Sequence, residues 1–147
     1  MKYQEWKNKQ NRFIAMTGCN EAVFDKLLPY FAEAHDEYLA KYHLNGSRRS
    51  GYRQYAMYKN APLPCMEERL AFILSYLKLN PLQEQHADLF GIEQNQCYEF
   101  VHGFRVILDK ALSSADCMPA QTDKDLQIRL LDFFKDEKIL LHDGTER

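Results

Sequence analysis

No stretch of this chain approaches the run of about eighteen apolar residues that crosses a bilayer, and the opening MKYQEWKNKQ lacks the apolar centre of a signal peptide. A cytoplasmic protein with no membrane partner is the expectation. Cysteine is sparse and dispersed: Cys19, Cys65, Cys97 and Cys117 form no C-x-x-C pair. The five histidines are equally scattered, so no zinc constellation can be assembled. Reduced, mostly buried thiols are expected instead. An excess of positive charge is missing too. The formal net charge of −2 argues against a general nucleic-acid sponge, although a total conceals how charge is distributed.

What is present is one domain's worth of chain, 147 residues with 46% hydrophobic content. Its charge is unevenly placed. The arm 1–12 is basic, through Lys2, Lys7, Lys9 and Arg12. So is 48–59, where Arg48, Arg49, Arg53 and Lys59 occur with no acid among them. The remaining stretches are acidic. This is the distribution of a protein that meets phosphate with particular segments, or of a solvated loop that happens to be basic.

The stretch 82–112, LQEQHADLFGIEQNQCYEFVHGFRVILDKAL, has the spacing of a helix-turn-helix. A short helix over 83–90 offers Ala87 for a close crossing, and Gly91 supplies a left-handed C-cap; a larger side chain at 87, or a β-carbon at Gly91, is expected to crowd the turn. A second helix begins near Glu93. Its apolar positions, Cys97, Phe100, Val101, Phe104, Ile107, Leu108 and Ala111, recur every three or four residues. Gln94, Asn95 and Gln96 are thereby left exposed at its N-terminus, with Tyr98 beyond them. A helix of this kind enters the major groove N-terminal end first, and Asn and Gln amides can bond adenine edges. The same spacing also occurs in plain helical packing.

Before this unit, Tyr3, Trp6, Gln10 and Phe13 line one side of an opening helix, which Thr17, Gly18 and Cys19 break. Asn20 caps a long helix whose seam is Phe24, Leu28, Phe31, His35, Tyr38 and Tyr42. Pro29 either kinks that helix or starts a second one. His35 reads as a satisfied core residue. A loop runs from Leu44 to about Pro64, in which Tyr52, Tyr55 and Tyr58 alternate with Arg53 and Lys59. This suits phosphates and base stacking or, equally, a cover over the body. Met66, Leu70, Ile73, Leu74 and Leu77 then define a helix ended by Asn80 and Pro81, completing a trihelical unit. Gly103, inside the last of the three helices, suggests close packing there. Beyond Leu112, Thr122 with Asp125 resembles a capping box before a helix through Leu126, Leu130, Phe133 and Phe134. Residues 138–142 then read as a buried strand with nothing to pair with.

The run HDGTER, His142 to Arg147, after a strand-like ILL resembles the start of the catalytic domain of DDE-type insertion-sequence transposases. TGCNEAVFDKLLPYF, YKNAPLP, ERLAFILSYLKLNPLQEQHADLFGI and the helix through VHGF resemble, in order, the N-terminal region of that group. The resemblance implies an all-α DNA-binding domain over 1–134, with the helix-turn-helix at 82–112. Residues 135–147 would be the truncated start of a ribonuclease H-like domain. It places Asp143 as the first of three carboxylates that bind two divalent metals, and Asp143 as a metal ligand only in a full-length context. A two-metal clamp needs all three carboxylates, and no Asp or Glu follows Glu146, so the chain is expected to be no enzyme by itself. No cofactor is expected in this chain, and Mg²⁺ only in a complete transposase.

The implied partner is double-stranded DNA, at an element's terminal repeats, contacted by Arg48, Arg49, Arg53, Gln94, Asn95, Gln96 and Tyr98. The alternative is a truncated transposase that pairs with itself or with full-length copies through the Phe24–Tyr42 seam and regulates them. One departure stands out. The group usually shows small polar residues where this chain has Glu93, Asn95 and Gln96, and often a basic residue where it has Glu99 or Gly103. An acid near the groove repels phosphate unless it reads cytosine.

Overall fold

The computed structural model describes residues 1–51 and 61–117, with positions 123, 124, 127, 128 and 131 beyond them. Two compact units are formed, Met1–Cys117 and Met118–Arg147. The described residues of the second unit are helical. The expected 134/135 boundary, the strand at 138–142, Asp143, and most of the predicted helix from Thr122 lie outside the described residues.

The fold is all-α. Helices α1 (Lys2–Lys7), α2 (Gln10–Thr17), α3 (Glu21–Lys41), α4 (Met66–Leu79), α5 (Gln83–Phe90) and α6 (Gln94–Ser114) make up the first unit. The single opening helix is in fact two, broken at Asn8 and Lys9, because Trp6 and Phe13 must both reach the core. Gly18 ends α2 at φ 78°, and the Asn20 side chain accepts the Val23 amide at 2.9 Å to start α3. Pro29 leaves α3 one continuous helix of 21 residues. It stands on the exposed side, while Phe24, Leu27, Phe31, Ala34, His35, Tyr38 and Leu39 are buried opposite.

That seam packs along α6 and against α4 of the same chain. Phe31 meets Phe104 with ring centroids 6.2 Å apart, and Phe24, Phe31 and His35 have no exposed surface. The pairing surface of the alternative reading is therefore already occupied by the chain's own core.

Helix α4 is the centre of the unit, touching α1, α2, α3 and α6. Residues Glu68 to Ile73 and Ser75 are all buried, whereas Leu77, assigned to the buried face by its spacing, is half exposed. A helix surrounded on most sides has no single apolar stripe, so periodicity underestimates its burial. The arginine and histidine brought inside where α4 meets α3 are partnered. Arg69 bonds the Leu63 carbonyl through Nε at 2.9 Å and His35 Nε2 through its guanidinium, and Nδ1 of His35 meets Asp36 at 3.1 Å. Because Arg69 can only donate, His35 Nε2 accepts, and the neutral ring carries its proton on Nδ1. Burial, with the nearby Arg69 charge, pushes the His35 pKa down against the pull of Asp36. The core-histidine reading of His35 holds.

The predicted loop from Leu44 is structured at its start. An antiparallel bridge joins Tyr42 to Arg48, His43 N–H donates to Ser47 O at 2.8 Å, and Gly46 turns at φ 83°. Tyr52, Arg53, Tyr55, Tyr58 and Lys59 lie outside the described residues. Of the thiols expected to be mostly buried, only Cys97 is; Cys19 and Cys65 are half-buried and Cys117 is exposed. None of the described helices is long and apolar enough to cross a membrane.

Candidate nucleic-acid interface

The short helix α5 ends as the sequence requires. Gly91 adopts φ 66°, its N–H donates to Asp88 O, and Ile92 N–H donates to Ala87 O at 3.0 Å. An added β-carbon at Gly91 would meet nothing within 4 Å, which corrects the expectation of crowding. The left-handed backbone, not space, demands glycine here. Ala87 is buried, as expected of a crossing point.

One aromatic cluster fixes the angle between the three helices. Phe72 of α4 contacts Phe90 of α5 at 5.0 Å, Phe100 of α6 at 6.0 Å and Phe104 of α6 at 6.1 Å, all edge-on. Each such pair adds about 0.5–1.5 kcal/mol beyond area burial. His86 lies against Phe72 at 4.5 Å and bonds its carbonyl through Nε2 at 3.1 Å. His86 Nδ1 has no partner among the described residues, and burial lowers the pKa of the ring to about 4. Trp6 reaches the same cluster from α1, edge-on to Phe90 at 5.7 Å.

With Cys97, Val101, Phe104, Ile107, Leu108 and Ala111 buried, α6 presents its other side to solvent. Gln94, Asn95, Gln96, Tyr98, Glu99, His102 and Arg105 are exposed, and Tyr98 keeps 53% of its surface. Gln96 is nonetheless engaged. It forms a capping box with Glu93, its Oε1 accepting the Glu93 amide at 3.2 Å, so its oxygen turns back to the helix end. Tyr98 packs on His102 with ring centroids 4.4 Å apart. The structure therefore groups Gln94, Asn95 and Tyr98 on an open face with His102 and Arg105, which sequence reasoning missed. Their spacing from Tyr98, four and seven residues on, was the available signal.

Residues 61–114 match the family model for the helix-turn-helix of DDE superfamily endonucleases. The matched stretch takes in α4, α5 and α6 entire, the trihelical unit joined by the Phe72 cluster. Comparison with curated proteins and with solved structures gives no match. Over these residues the chain thus resembles the helix-turn-helix of such enzymes.

Of the basic residues expected at the interface, Arg48 is exposed beside its bridge partner Tyr42. Arg49 is half-buried. Its Nε donates to Tyr42 O at 3.1 Å, and its amide donates to Lys41 O at 2.9 Å, so it helps hold the hairpin closed. Arg53 lies outside the described residues. Among the described residues, no three His, Cys, Asp or Glu side chains are gathered as metal ligands.

Proposed function

We propose that this chain is a DNA-binding module of a transposase, which recognises the ends of its element through the exposed face of α6. The observation that carries this is the pairing of a DDE-type helix-turn-helix match with an unobstructed α6 N-terminal half bearing Gln94, Asn95 and Tyr98. Amides at the mouth of a groove-entering helix read adenine by paired hydrogen bonds, and phosphate contacts from basic segments fix the register. Asp143, by its resemblance to the first carboxylate of a DDE site, would act in cleavage only together with two more carboxylates that hold the paired metals. The regulatory-pairing reading is disfavoured, since its seam lies in the core.

The test is binding to the element's terminal repeats and to scrambled duplexes at several salt concentrations. Tighter binding to the ends, with a salt-dependent component common to both, supports the proposal. No preference would reduce it to a non-specific binder.

A further inference from the structure

The contact that places the α3–α4 connection against α6 is made at Gly103. A β-carbon there would stand 2.5 Å from Leu44 Cδ2, 2.9 Å from the Leu44 carbonyl oxygen and 3.1 Å from its Cα. Real β-carbons do not approach backbone that closely, so only glycine admits the hairpin at this distance. The hairpin is closed by its own hydrogen bonds. Asn45 Oδ1 accepts from Ser47 N at 3.0 Å and from Ser47 Oγ at 2.7 Å, in addition to the His43–Ser47 and Lys41–Arg49 backbone bonds.

At about 100° per residue, Gly103 falls on the flank of α6, between the buried row of Phe104 and Ile107 and the exposed row of Asn95 and His102. The hairpin therefore sits beside the open face and leaves it clear. Tyr42 and Arg48 oppose each other in the bridge, and the Tyr42 ring stacks on Tyr38 at 5.3 Å. The bridge thus ties Arg48 to the end of α3, while Leu44 ties the turn to α6.

We propose that the Tyr42–Arg48 hairpin is a wing to the helix-turn-helix, seated on Gly103, that holds Arg48 against the phosphate backbone flanking the groove entered by α6. This rests on the DNA-binding reading above and goes beyond it, by making Gly103 a positioning residue for a phosphate contact. A wing fixed to the reading helix couples the two kinds of contact: a phosphate bond at Arg48 sets how deep and in which register Asn95 enters. Glu99, one turn before Gly103 on the same flank, repels the same backbone, and Arg48 supplies the opposing charge.

The test combines salt titrations on a mixed-sequence duplex with amide exchange in the free protein, for wild type, Arg48→Ala, Gly103→Ala and the double variant. Loss of one phosphate contact lowers the slope of log K against log salt by about 0.9. Arg48→Ala and Gly103→Ala should each give that decrease, and the double variant no more than either. Faster exchange of the His43 and Arg49 amides in Gly103→Ala, with helical signal retained, should accompany it. Should Gly103→Ala fail to fold, Gly46→Val strains the turn at φ 83° without touching α6 and should give the same slope. A wild-type slope in Gly103→Ala, additive losses in the double variant, or unchanged amide protection would each overturn the wing. Those outcomes leave DNA binding standing. Wild-type protein that binds no duplex at any salt would overturn the DNA-binding reading and the wing together.

Discussion

Glu68 of α4 holds the start of α1: its Oε1 accepts the Lys2 amide at 2.8 Å and its Oε2 the Tyr3 amide at 3.0 Å. The carboxylate is buried and sits where the free amides of a helix N-terminus favour negative charge. A helix of six residues is too short to be stable alone, so α1 depends on this tether and on Trp6.

Glu68→Ala should therefore release α1, at a cost of about 1.5–3 kcal/mol for bonds to a buried charged acceptor. Trp6 is the only tryptophan and has no exposed surface, so its emission reports the event directly. A red shift with α3–α6 still folded is the expected outcome. Emission unchanged from wild type would show that packing alone holds the helix.

Acid should destabilise the first unit through His86. Its pKa falls from 6.5 in the unfolded chain to about 4 in the fold, so the folded state resists protonation. The stability contributed by the neutral ring is complete above about pH 6.5 and is lost as the pH falls towards 4, on the order of 3 kcal/mol in all. The downward shift at His35 acts in the same direction. His86→Phe should flatten the acid limb of urea-unfolding stability between pH 7 and 5. The Phe72 carbonyl retains the Ser75 hydroxyl at 3.0 Å, so no acceptor is orphaned by the change. An acid limb as steep as wild type would assign the effect elsewhere.

Gly91→Ala should cost about 1–2 kcal/mol, the penalty for an L-residue held at left-handed φ. Since the space around Gly91 is open, Gly91→Asn should recover part of it. Equal losses in the two variants, measured by thermal unfolding, would point to a steric cause instead.

The three amides at the head of α6 should separate into two kinds. Ala at Gln94 or Asn95 ought to reduce discrimination between end and scrambled DNA, by about 1–3 kcal/mol for each paired contact, at unchanged salt slope. Ala at Gln96 ought to act chiefly on stability, by about 0.5–1 kcal/mol, because its oxygen closes the capping box. Binding and unfolding measured on the same variants decide this; a specificity loss at Gln96 as large as at Asn95 would contradict it.

By itself the sequence determined what neighbouring residues enforce. The face of α6 is set by residues three and four apart, the α5 stop by a glycine that alone takes φ 66° without strain, and the start of α3 by the Asn20 side chain bonding an amide three residues on. The exposure of Gln94 and Asn95 followed from the same periodicity, so much of the candidate interface was legible. Only the tertiary structure decided what depends on residues distant in the chain. Glu68 capping α1, Arg69 meeting His35, and Leu44 seating on Gly103 join positions whose pairing no local pattern encodes. The burial of α4 on most sides erased the stripe that would have shown it to be the centre. The Phe24–Tyr42 seam gave its apolar period but not its partner, because an apolar stripe fits any complementary face, and which face covers it depends on how the whole chain closes.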